Sequence, residues 1–332
     1  MEPIILMNSK WGNDIFTPMY LFFGGLTGGL FIVAVVADLV GIKHKSFEKL
    51  SKLVAFIVPL ALVLAGLFIT FHLGKPERGM FFPLYFTNFN SWMVIGGYSV
   101  GLAFPMIIAY ALLWYYKVNQ TIRRILGVVG IPLLGFVSLY TGLLLSGAKF
   151  VPLWSQQYLP YLFLNSGILT GLAAAGLAFL LFHTFVKTEL DDMSRILQIV
   201  GYAILALIVV EGLELYLFMN HLALNPEKLD ETGKFINPNG GALAYEYVTQ
   251  GVLAPWFWWG IVGMGLTFPL ILTFIEMIFD KIIRPYVNWV AGVKFASILA
   301  GGIILRFVIV WGGDLKAPLV FPPALFQLPL SG

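Results

Sequence analysis

The sequence predicts an all-α polytopic membrane protein: eight transmembrane helices arranged as two parallel-repeat four-helix bundles. Three observations carry that prediction. Hydrophobic residues fill 59% of the 332 positions and charged residues only 11%, where a soluble domain carries roughly 25% charge. Eight apolar stretches lie near 17–41, 52–73, 92–116, 122–147, 161–186, 193–222, 252–280 and 287–313. Each is long enough to cross about 30 Å of hydrocarbon, which takes ~20 helical residues. Finally, the last four stretches echo the first four.

Lipid obliges every backbone amide to find an internal partner, so a span is a helix or part of a closed barrel. These runs lack the alternation of barrel strands. The first contains "YLFFGGLTGG", where Gly24, Gly25, Gly28 and Gly29 let another helix or a ring approach closely. The second ends at His72 and is followed by "LGKPERG". Gly74 and Pro76 suit a helix stop, and the same loop can also roof a site and dock a partner through Lys75 and Arg78. The third opens with "NSWMVIGGY" and the fourth holds "YTGLLLSG". The fifth repeats the Leu-Thr-Gly of the first, at 169–171 against 26–28, and the sixth ends His221-Leu222 as the second ends His72-Leu73. In the seventh, "WFWWGIVGMGLTFPLIL" (256–272) matches "WMVIGGYSVGLAFPMII" (92–108) without a gap. In the eighth, "GGIILRFVIVWGG" (301–313) aligns with "GFVSLYTGLLLSG" (135–147), which sets Arg306 opposite Tyr140. Corresponding helices enter from the same side, so the repeats are parallel. The halves are 1–150 and 151–332, the second with a long, acidic outer loop at 223–251.

The loops after spans 1, 3, 5 and 7 hold eleven of the twenty Lys and Arg residues, Arg123 and Arg124 among them. The excess of cations on that side places it in the cytoplasm and both termini on the outer, periplasmic face of the inner membrane. The first sixteen residues lack a basic n-region and a small-residue cleavage site, so the first apolar segment is expected to remain as a membrane helix. A net charge of +3 argues against nucleic acid as a partner. The protein has no cysteine, which excludes disulfides and thiolate-held iron–sulfur clusters within it.

An ionisable group in hydrocarbon costs roughly 2.5–3.5 kcal/mol on insertion scales, so each one needs a reason. Thr17, Tyr20, His72 and Tyr140 lie toward the outer face in the first half, with Tyr140 about 10 Å below its helix end at ~1.5 Å per residue. Interfacial Tyr is commonly an aromatic belt, and His72 also suits the C-terminal end of a helix dipole. Glu211, Glu214 and Arg306 lie at matched depth in the second half. Glu214 and Arg306 are expected to neutralise one another, because an unpaired buried charge is far costlier than a paired one. Asp38, His183, Glu276 and Lys294 lie toward the inner face. There Asp38, His183 and Glu276 either snorkel to the headgroups or, with Lys294, Glu214, Glu211 and Arg306, form a proton-transfer route.

Taken in order, "YLFFGGLTGG", "HLGKPER", "NSWMVIGGY", "YTGLLLSG" and "LRFVIVWGG" resemble the NrfD/PsrC family over nearly the whole sequence. These are integral membrane subunits of polysulfide reductase and related respiratory complexes. The resemblance implies that electrons and protons pass between quinone (menaquinone or similar) and a ferredoxin-like iron–sulfur subunit outside, which in many complexes serves a molybdopterin catalytic subunit. It implies no haem and no iron–sulfur cluster in this polypeptide. The Tyr of "YTG" binds the quinone in such proteins, which carries over to Tyr140. Thr17 and Tyr20 follow by location. Related sequences often read Asp-Leu-Gly-Arg-Pro where this one has His72-Leu-Gly-Lys-Pro76, so His72 takes a headgroup contact here. Two rival readings are a haem b-type anchor using His72 and His221, and a secondary transporter with parallel repeats.

Overall fold

The computed structural model describes residues 14–72, 87–148, 151–186, 190–224, 240–278 and 286–314. Lys75, Arg78 and most of the predicted outer loop fall outside these residues, and so does the side chain of His183. The described residues are helical throughout their spans, and eight of the helices are long and apolar enough to cross a membrane. They are α1 (Phe16–Val40), α2 (Ser46–His72), α3 (Trp92–Tyr115), α4 (Gln120–Ser146), α5 (Leu159–Val186) and α6 (Leu190–Leu224), then a π-helical segment (Trp256–Thr267) that runs into α8 (Phe268–Ile278), and α9 (Val287–Trp311). A short helix, α7 (Gly240–Thr249), lies between α6 and the π segment and buries Ala244 and Val248.

Two features differ from the hydropathy reading. Helix α2 starts at Ser46 rather than near 52, because its first turn is amphipathic: Phe47 and Leu50 are buried, while Glu48 meets Arg124 at 2.9 Å. The "GLTFP" segment also differs from its counterpart. Helix α3 is α-helical through Pro105, whereas the matching stretch 256–267 is wound as a π-helix before Pro269.

Helix α1 is the centre of the molecule and packs on α2, α4, α5 and α9. Glycine permits this. A Cβ at Gly29 would lie 1.8 Å from the Gly167 carbonyl oxygen of α5, and one at Gly28 would lie 2.2 Å from the Leu134 oxygen of α4. No side chain larger than hydrogen fits either gap, so backbones meet where the glycine-rich stretch predicts close approach. Ser138 Oγ then donates to the Gly25 carbonyl at 2.7 Å. Between the π segment and α9, Gly265 and Gly301 make a similar contact. On the outside, Leu60, Leu102, Ile125, Val129 and Leu213 are exposed, as suits a protein whose lateral solvent is hydrocarbon.

Candidate functional site

At the end of the bundle where α1 begins and α2 stops, the predicted residues meet along one face of α1. Asp14 precedes the helix, and its carboxylate accepts from the backbone N–H of Phe16 at 2.9 Å and of Thr17 at 3.3 Å. These bonds satisfy two amide donors at the start of α1, where the positive end of the helix dipole favours a carboxylate. The Thr17 hydroxyl donates to the other carboxylate oxygen. His72, at the end of α2, places Nδ1 3.1 Å from Asp14 Oδ2 and 3.3 Å from Thr17 Oγ1. One turn further along α1, the Tyr20 phenol comes within electrostatic reach of the Tyr140 phenol. Tyr140 is buried, and its ring lies against the backbone of α3, where a Cβ at Gly96 would stand 1.8 Å from it. Four helices therefore converge on two tiers of polar groups, His72–Asp14–Thr17 and Tyr20–Tyr140.

A second group lies between α5, α6 and α9. Glu211 and Glu214 are three residues apart, on one face of α6. Arg306 of α9 is 1% exposed. Its guanidinium covers the Phe163 ring at 3.8 Å and donates to the Phe163 carbonyl at 3.3 Å. Arg306 Nε and Nη1, Glu211 Oε2, Glu214 Oε2 and Ser166 Oγ are all buried with no direct hydrogen-bond partner among the described residues. A void of about 10 Å³ adjoins Glu211, Ser166 and Thr170, which is about the volume one water's centre occupies. Buried polar atoms in such numbers call for ordered water. The expected Glu214–Arg306 pair does not form within ion-pair distance; Glu211 is the carboxylate within electrostatic reach of Arg306, and Asn165 neighbours Glu214.

Residues 6–317 match the family described as "Polysulphide reductase, NrfD". The protein belongs to the NrfD family. It is 27% identical to the C component of the polysulfide reductase of Wolinella succinogenes, over 93% of this sequence and 99% of that one. It is 26% identical to protein NrfD of Escherichia coli K12, over 90% of this sequence and 93% of that one.

The residues toward the opposite end of the bundle split into separate groups in this NrfD-family member. Asp38 is fully buried and does not snorkel. Its carboxylate takes two 2.7 Å hydrogen bonds from Arg123, one of 3.2 Å from Arg124 and one of 3.2 Å from Tyr110. Arg123 also lies over the Trp114 ring at 3.4 Å. The charge count assigns this arginine to the loop before span 4, yet it is 3% exposed in the first turn of α4. Lys294, 1% exposed, is ion-paired with Glu276. The rings of His72 and His221 turn to different neighbours, His72 to α1 and His221 to Tyr158 at 4.9 Å between centroids.

Asp14 was missed by sequence reasoning. Its signal was an acidic residue three positions before Thr17, where a helix N-cap belongs. Asn165 and Ser166 were missed as well, since nothing in a neutral Asn-Ser pair marks it as the neighbour of two carboxylates 45 or more positions away.

Proposed function

We propose that this protein is the membrane anchor subunit of a respiratory oxidoreductase complex. It exchanges electrons and protons between a quinone of the menaquinone type in the bilayer and an iron–sulfur subunit on the outer face of the inner membrane. The observation that carries the reading is the two-tier cluster on α1. A quinone has two ring oxygens, and the cluster supplies hydrogen-bonding groups at two levels next to a titratable imidazole. The polysulfide reductase relationship supports the reductase context. The lack of cysteine means that any thiolate-held cluster is the partner's, and a molybdopterin subunit beyond that partner completes the path of transfer.

When bound, the quinone supplies a two-electron, two-proton couple. The side chains of this protein do the rest. The Tyr140 hydroxyl, held in place by packing against Gly96, would hold one ring oxygen with Tyr20 beside it. His72 would serve the other. Asp14 accepts from Nδ1, which sets the tautomer and orientation of the ring, and Thr17 anchors Asp14. The His72 side chain is 36% exposed, so a proton can pass between it and the outer aqueous phase. Lys75 and Arg78 are assigned to docking the partner. In this reading residues 1–150 are the quinone half and 151–332, its parallel repeat, the proton-handling half. There the water-sized void and the unpartnered atoms around Glu211, Glu214 and Arg306 support a route that continues toward Lys294, Glu276 and His183. The arginine-locked Asp38 belongs to a scaffold instead.

Tyr140→Phe in the assembled complex tests the site. It should lower kcat/KM for quinol by roughly ten- to a hundredfold, the effect of one hydrogen bond to a developing charge, while the complex still copurifies with its iron–sulfur subunit. Unchanged kinetics in a folded, assembled variant would refute the assignment.

A further inference from the structure

A large cavity lies away from the two-tier cluster, in the other half of the protein. It is a groove of about 590 Å³ between α6 and the antiparallel π segment with α8, and α7 covers one end. This volume falls within the range of small-molecule sites, roughly 300–1,000 Å³. On α6 the lining recurs at helical spacing from Ile208 to Ala223, a stripe about 22 Å long at ~1.5 Å per residue. The groove is therefore long and narrow, and it opens on the lipid-facing side, where Val209 and Tyr216 are exposed.

Its chemistry is graded. Toward the Ile208 end it is walled by aliphatic residues such as Val262 and Leu270. Three of its polar side chains, Asn220, Tyr245 and Thr249, line the α7 end, and Thr267 lines the other. The Thr249 hydroxyl donates to the Tyr245 carbonyl at 2.7 Å, which leaves Asn220 and Tyr245 as the donors for a ligand. Among the described residues no Lys, Arg, His, Asp or Glu lines it. A phospholipid headgroup carries a phosphate, which is recognised by cations or clustered N–H donors, and the described lining residues offer neither. The complementary occupant has a long apolar tail and an uncharged head that accepts hydrogen bonds.

We infer that this groove is a second docking site for a prenylquinone, separate from the Tyr140 cluster. It holds the isoprenoid tail along α6 and the ring near Asn220 and Tyr245. No electron transfer is assigned to it. The site holds a second quinone molecule beside the reactive one, and the inference does not depend on the chemistry proposed at Tyr140.

Gly212 offers a clean block. It lines the groove, and a Cβ built there meets nothing within 4 Å, so a large residue fits at this position without disturbing the bundle. The intact complex in lipid nanodiscs is illuminated with an azido-prenylquinone, and the labelled peptides are mapped. The expected result is label on peptides spanning 208–223 or 257–270. That label should be displaced by excess unlabelled prenylquinone but not by phosphatidylglycerol, and it should be lost in Gly212→Phe and reduced in Asn220→Ala. Label on peptides carrying Tyr20 or Tyr140 should survive both changes, and its presence or absence judges the first site separately. No groove label, displacement by phospholipid alone, or label that persists in Gly212→Phe would overturn the inference.

Discussion

Replacing Asp38 by Asn tests whether the Asp38–Arg123 cluster is scaffold or relay. In the native protein the carboxylate takes two 2.7 Å bonds from Arg123, a third from Arg124 and a fourth from Tyr110, with no exposure of its own. The amide is nearly isosteric, so no cavity forms. What changes is that the Arg123 guanidinium, 3% exposed, loses its counter-charge and keeps mainly its contact with Trp114. A cation over a desolvated aromatic face gains about 2 kcal/mol or more, but Arg123 already makes this contact in the native protein, so it does not replace the lost charge. Removing one member of a buried ion pair costs roughly 3–5 kcal/mol, or two to three and a half orders of magnitude in the folding equilibrium. Arg124 retains Glu48 at 2.9 Å, so the loss centres on Arg123. The assay is reversible unfolding of the purified protein in mixed micelles by denaturing detergent, for Asp38→Asn, Arg123→Gln and the double variant. The single variants should each be strongly destabilised, and the double variant should be less so than their sum. A change below about 0.5 kcal/mol in Asp38→Asn, or strict additivity in the cycle, would refute the scaffold reading.

Gly29→Ala places a methyl where only 1.8 Å separates it from the Gly167 carbonyl oxygen. The two central helices must separate, and destabilisation of at least about 1–3 kcal/mol is expected from overpacking, measured by the same unfolding assay; Gly66→Ala, with open space around it, should be near neutral. Glu211→Gln and Glu214→Gln test the route in the second half. In liposomes holding the assembled complex, turnover-linked proton movement should fall in both variants while quinol oxidation in detergent persists; unchanged proton movement eliminates the route.

Much of this protein was legible in its sequence. Composition and segment length determined a membrane protein with eight spans, because the thickness of hydrocarbon admits few other solutions. Glycine spacing announced the close crossing of α1, and the motif order announced the family. His72 and Tyr140 could be placed near one membrane face by counting residues.

Partners were a different matter. Asp38 and Arg123 are 85 positions apart, and Arg306 reaches Phe163 from 143 positions away. Arg306 makes no ion pair with Glu214, and the carboxylate within its electrostatic reach is Glu211. In a soluble helix a polar face reveals how the helix is rotated. In these spans the lipid-facing and buried faces are both apolar, so the hydrophobic period carries little rotational information. Only the packed bundle, with glycine contacts setting how closely helices approach, decided which way each helix turns and which polar groups therefore meet.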